Sequence, residues 1–91
     1  MANGDLYDEF ECDGIVFIFK KDSVDANLSH IWARHMLDEN DAINCWFDGT
    51  HRWNAGRRRF ECIDPNGQIE VYWFWLKKSE VRIITCARTR T

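Results

Sequence analysis

The chain reads as an α+β domain, an antiparallel β-sheet of four to six strands with one or two short helices packed on one face. Three observations predict it. The C-terminal third holds apolar and aromatic runs of strand length separated by turn signals. The middle holds apolar residues at helical spacing. Ninety-one residues suffice for one modest core and not for two. Residues 1–91 are therefore expected to form a single domain, with an N-terminal hairpin over 6–20, a helical segment over 23–47 and antiparallel strands over 51–90.

The strands from Arg57 to Arg88 organise the rest. Arg57 to Asp64 is closed by Pro65-Asn66-Gly67, where Asn and Gly accept positive φ at little cost. Gln68 to Leu76 follows, then a polar turn at Lys77-Lys78-Ser79-Glu80, then Val81 to Arg88. In the middle strand Ile69, Val71, Trp73 and Trp75 point one way, and Glu70, Tyr72, Phe74 and Leu76 the other. Both rows are largely apolar, which predicts a central strand covered on both sides.

Two-residue tips at Asn66-Gly67 and Lys78-Ser79 fix a pairing map. Phe60 faces Trp73, Glu61 faces Tyr72, Arg59 faces Phe74, Trp73 faces Ile84 and Tyr72 faces Thr85. Phe60, Cys62, Val71, Trp73, Ile84 and Cys86 then share the core side. Arg59, Glu61, Tyr72 and Thr85 stand side by side opposite, with Phe74, Leu76, Val81 and Ile83 beyond them. A slip of one residue at either turn exchanges the faces.

Nearer the start, Leu6 to Cys12 alternates weakly, Asp13-Gly14 is a hairpin signal, and Ile15-Val16-Phe17-Ile18-Phe19 has strand composition. Whether this hairpin extends the main sheet is open. Asp22 or Ser23 is suited to cap a helix, along which Val24, Leu28, Ile31 and His35 share one face. Asp38 is suited to cap a second helix through Phe47, burying Ala42, Ile43, Trp46 and Phe47 and ending at Gly49. His51-Arg52-Trp53 starts a further short strand.

Charge is unevenly placed. The net charge is −3, divided into −8 over residues 1–50 and +5 over residues 51–91. Seven of the nine cations in the second part are arginine, whose forked donors suit phosphate or carboxylate. This split predicts either an anionic partner or mutual neutralisation on folding. A run of about 18 apolar residues, the length a membrane helix needs, does not occur. The acidic opening MANGDLYDEF lacks the pattern of a secretory signal, so a cytoplasmic location is expected. Cys12, Cys45, Cys62 and Cys86 have long irregular gaps and no C-x-x-C pair, which predicts reduced, packed thiols and no metal site.

Several short pieces together resemble one family. Arg34-His35, Ala42 and Phe47, Arg59-Phe60, Gly67 and the closing Arg82-Ile83-Ile84-Thr85-Cys86-Ala87-Arg88 follow the order found in the BrnT toxins, ribonucleases of the RelE-like superfamily. Phe10-Glu11-Cys12-Asp13 is similar to that family's opening segment. This chain differs by an apolar strand inserted before the helix and by Cys86 within the closing motif. The resemblance spans residues 27–90 and implies a metal-independent endoribonuclease of a toxin–antitoxin system, with His35, Arg59, Arg82, Thr85 and Arg88 at matched positions.

Metal-free RNA cleavage needs a proton acceptor for the ribose 2′-OH, a proton donor for the leaving oxygen, and cations on the phosphate. The candidates for catalysis are His35, Arg59, Tyr72 and Thr85, with Tyr72 taken from the pairing map. The candidates for RNA or phosphate binding are His51, Arg52, Trp53, Arg57, Arg58, Arg82 and Arg88. No cofactor is expected. The expected partners are RNA and a cognate antitoxin or other protein; a homodimer is left open. Two other classes remain open: an acidic inhibitor, immunity or antitoxin-like protein, and a small nucleic-acid-binding module without catalysis. Each candidate also has a plainer reading. His35 on an apolar stripe suits a core histidine, and the arginine run suits a solvated strand edge.

Overall fold

The structure, a computed structural model, describes residues 7–21 and 37–89. The expected first helix, with His30, Arg34 and His35, lies outside the described residues, as does Arg90. Six strands form one sheet: β1 (Tyr7–Cys12), β2 (Ile15–Lys20), β3 (Thr50–Asn54), β4 (Arg59–Ile63), β5 (Ile69–Lys77) and β6 (Glu80–Arg88), with one described helix, α1 (Glu39–Asp48). The strand order is β1-β2-β6-β5-β4-β3.

This is a small α+β fold with one correction to the expected topology. β2 and β6 run parallel, with Phe17 beside Val81 and Phe19 beside Ile83, while every other neighbouring pair is antiparallel. The N-terminal hairpin therefore extends the main sheet, joined where Val16 N–H donates to the Ser79 carbonyl at 2.8 Å. The physical reason is chain direction. Four strands in a meander bring β6 back alongside β2 with the same polarity, and residues 21–79 supply the long crossover that parallel neighbours require. An interior position also accounts for the unbroken apolar run of β2.

Helix α1 begins as its sequence dictates. The Asp38 carboxylate accepts the Asp41 N–H at 2.9 Å, and the Asp41 carboxylate accepts the Asp38 N–H at 3.0 Å, a reciprocal capping box. The helix buries Ala42, Ile43 and Cys45 against the sheet. It ends at Gly49, where lack of space matters more than backbone freedom. A Cβ there would lie 2.5 Å from Cys62 Sγ and would also press on the Ile63 carbonyl.

The core joins Phe17 and Phe19 of β2, Cys62 of β4, Val71 and Trp73 of β5, and Val81, Ile83 and Cys86 of β6 to Leu37 and the helix. The expected register holds from β4 to β5, with Phe60 opposite Trp73 and Glu61 opposite Tyr72. It shifts twice between β5 and β6. Lys77 faces Glu80 as the turn demands, but Trp75 then faces Val81 and Trp73 faces Ile83, before Tyr72 meets Thr85 as expected. Leu76 and Ile84 are the two residues without a partner, so the shifts cancel. Val81 and Ile83 thereby turn into the core, where Ile84 was expected. Burying a branched aliphatic side chain stabilises by roughly 1.5–3 kcal/mol, against about 1 kcal/mol for a ladder hydrogen bond, so the bulged register wins.

Arg57 and Arg58 were expected at the start of a strand. They stand instead in the turn between β3 and β4, where Arg58 takes φ of 55° and Arg57 N–H donates to the Asn54 side chain at 3.1 Å.

Candidate functional site

The sheet face opposite α1 carries a rung of polar side chains, Arg52, Glu61, Tyr72 and Thr85, one from each of β3, β4, β5 and β6. They meet because the Asn66-Gly67 turn sets the β4–β5 register and the two later shifts cancel by Tyr72. Glu61 is the hub. Its Oε2 accepts from Asn54 Nδ2 at 3.0 Å and from Arg59 Nε at 3.1 Å, and Arg59 Nη2 lies 3.0 Å away. Arg52 approaches the other oxygen at 3.7 Å. The guanidinium carbon of Arg59 also sits 3.9 Å above the Tyr72 ring centre, a cation–π contact.

Two titrations follow from this packing. The hydrogen bond from Asn54, supported by Arg59 and Arg52, holds the Glu61 carboxyl below the usual carboxylate range despite some burial. Burial, aided by the negative charges of Glu70 and Glu61, pushes the Tyr72 phenol upward, so it is neutral near pH 7. Glu61 is a weak base whose Oε2 is taken by Asn54 and Arg59, and Tyr72 is a hydrogen-bond donor.

Two shallow hollows open on this face. One, of about 590 Å³, is lined by Ile63, Gly67, Glu70, Tyr72, Ala87, Arg88 and Thr89. The other, of about 300 Å³, is lined by Thr50, Arg52, Glu61, Ile63 and Glu70. They share Ile63 and Glu70, so Tyr72 and Arg88 border one and Arg52 and Glu61 the other. Arg82 lies elsewhere, facing Phe74 across the sheet, with its guanidinium 4.6 Å from the Tyr7 ring centre. A hydrogen bond from Arg82, reinforced by its charge, lowers the Tyr7 phenol. At about 3.3 Å per residue, Arg82 and Arg88 are separated by roughly 20 Å along β6.

His51 points to the other face and is engaged at both ring nitrogens. Trp73 Nε1–H donates to Nδ1 at 2.9 Å, which leaves the proton on Nε2, 2.8 Å from the Trp46 carbonyl. The ring also packs edge-on against Trp46 and Trp73. In this arrangement His51 is a fastener between α1 and the sheet, with no donor left for a phosphate.

Three exposed arginines collect at the β3 edge. Trp53 is 51% exposed, with its ring edge against Phe60. The neighbouring Arg52 side chain is 82% exposed, and Arg57 and Arg58 are exposed in the adjoining turn. Among the described residues neither Arg57 nor Arg58 has a carboxylate within ion-pair distance. The β3–β4 hairpin thus carries four arginines against the single carboxylate of Glu61.

The structure brings Arg59, Tyr72 and Thr85 together and groups Arg52, Trp53, Arg57 and Arg58 along one edge. It separates Arg82 from both groups and turns His51, on the same strand and face as Trp53, toward Trp46 and Trp73, while His35 lies outside the described residues. Asn54, Glu61 and Glu70 are not among the candidates the sequence suggests. Glu61 opposite Tyr72 was visible in the pairing map, but its bond to Asn54 depends on how the β3–β4 turn closes. No group of side chains suited to hold a metal ion occurs among the described residues. Compared with known proteins, the chain matches no family model, no curated protein and no solved structure.

Proposed function

We propose that this domain binds single-stranded RNA along the β3 edge and the polar face beside it. One observation carries the reading: the exposed Trp53 ring lies on the edge strand that also bears Arg52 and leads into the turn of Arg57 and Arg58, and among the described residues none of these arginines is tightly paired. An exposed aromatic gives a base a surface to stack on, and arginines beside it follow the phosphates. Overall acidity opposes nucleic-acid binding at long range. Binding is nevertheless decided within a Debye length, about 8 Å at physiological salt, where this hairpin is cationic.

Metal-independent cleavage, as in the toxins the sequence resembles, is the second reading. Arg59 above Tyr72, with Thr85 in the same rung, favours it. These groups supply a cation and two hydroxyls. Among the described residues Glu61 is engaged by Arg59 and Asn54 and His51 faces away, which leaves Glu70, lining both hollows, as the carboxylate on this face able to take the 2′-OH proton. His35, at a position matched by the resemblance, is the other candidate for that role. An antitoxin or other protein partner belongs to the same reading, as an acidic segment covering the arginine-bearing edge.

A labelled RNA oligonucleotide titrated with the full chain tests both. Trp53→Ala should weaken binding by about 1–3 kcal/mol, roughly 5- to 150-fold, with the fold retained. Removing Arg57 or Arg58 should flatten the salt dependence of log K by about 0.7 each. Cleavage in the presence of a chelator, lost in His35→Ala, would establish the nuclease, whereas RNA bound and left whole would establish a binding module. A folded protein that binds no RNA ends both readings.

A further inference from the structure

We propose that Cys45 and Cys62 form an oxidation site, which a hydroperoxide converts to a disulfide tying the last turn of α1 to β4. The inference is independent of any RNA binding. The two sulfurs lie 4.0 Å apart, on the helix and on the strand it covers, and both residues are buried. A disulfide bond is about 2.05 Å long, so the sulfurs close by roughly 2 Å. Two features hold them at this distance. Gly49 lets the chain leaving α1 pass against Cys62 Sγ, where no Cβ fits. The His51 ring, fixed between Trp46 and Trp73, places Nε2 3.7 Å from the same sulfur.

The pair is chemically asymmetric. Cys45 S–H can donate to Cys62 Sγ, and this hydrogen bond lowers the Cys62 thiol while raising that of Cys45. The Cys62 S–H also lies 3.2 Å from the Cys45 carbonyl; once that proton has left, Cys62 is the sulfur that attacks. With hydrogen peroxide, its sulfur takes the near oxygen as the O–O bond breaks, giving a sulfenic acid and a hydroxide that is protonated to water. Cys45 sulfur then displaces the sulfenic hydroxyl. The S–S bond forms, the S–O bond breaks, and the Cys45 proton leaves with the hydroxyl as a second water. Two thiols are oxidised by two electrons and one peroxide is reduced to two waters. The other cysteines are poorly placed. Burial pushes Cys86 up to about 12, and Cys12 is on β1, four strands away from β4 in the sheet order.

Hydrogen peroxide added to the native full chain, followed by thiol titration and peptide mapping, is the test. The expected product is a monomer that has lost two thiols, with the Cys45 and Cys62 peptides cross-linked and released by dithiothreitol. Cys45→Ser should instead leave a sulfenic acid on Cys62 that dimedone traps. If Cys45→Ser fails to fold, the wild-type map alone decides. Four thiols retained in the folded chain, Cys12-linked dimers as the main product, or over-oxidised Cys62 beside free Cys45 would each overturn the proposal.

Discussion

Replacing Glu61 by glutamine separates two roles that this carboxylate could have. The side chain is 14% exposed, and that of Arg59, its main cationic partner, 19%. Glutamine keeps one acceptor for Arg59 but removes the charge that receives Asn54 Nδ2, Arg59 Nε and Arg59 Nη2 together. Hydrogen bonds to charged groups contribute about 1.5–3 kcal/mol, and partial solvent access places this cluster near 2 kcal/mol. In a domain of this size that is a drop in Tm of roughly 8–16 °C at pH 7. The pH dependence has a definite sign. Because the folded carboxyl lies below its unfolded value, the stabilisation is complete above about pH 4.3 and is lost as pH falls through the folded value. The gap in Tm between wild type and Glu61→Gln should therefore narrow in acid, as followed by tryptophan fluorescence. Arg59, once released, adds a cation to the polar face. RNA binding should tighten at low salt, and its salt slope should steepen by about 0.7. Equal Tm values at pH 7, or a gap that ignores pH, would refute the account of Glu61 as the hub. Unchanged binding with cleavage abolished would show that Glu61 is a base and not a counter-charge.

Two further outcomes test the packing. His51→Ala leaves the buried Trp73 Nε1 without its acceptor, so urea unfolding should show a loss of about 1–3 kcal/mol; RNA affinity should hold, and a large loss of affinity in a folded variant would restore a binding role. Ile83→Ala should cost roughly 2–4 kcal/mol, whereas the partly exposed Ile84→Ala should cost about 1 kcal/mol or less; equal costs would mean that the two register shifts are wrong.

Local chemistry made much of this fold legible in the sequence. The Asp38 cap and the β4–β5 register each depend on residues within a few positions of one another, and each appears as expected. The turn between those strands is wider than two residues, with Asp64 bonded to Ile69, and with Gly67 but not Asn66 at positive φ. That register alone placed Glu61 beside Tyr72, and the turn that follows placed Tyr72 opposite Thr85. The face assignment of Val81 and Ile83 was not legible. It depends on two cancelling shifts whose stabilisation comes from Phe17, Phe19 and Trp73 meeting in the core, and no period-2 pattern encodes such shifts. The parallel β2–β6 contact was hidden for a similar reason, because it joins segments about sixty residues apart.

The sequence by itself determined the class of fold, the cap and turns, and the concentration of arginine in the second half, since these follow from backbone preference and residue type. Tertiary structure alone decided which arginines are free. Glu61 and Tyr72 hold Arg59, Tyr7 lies against Arg82, and Arg57 and Arg58 remain in solvent. The same step tied His51 to Trp46 and Trp73 and brought Cys45 to Cys62. Ion pairs, ring contacts and thiol pairs act over a few ångströms, and the chain brings their members that close only after the sheet has assembled.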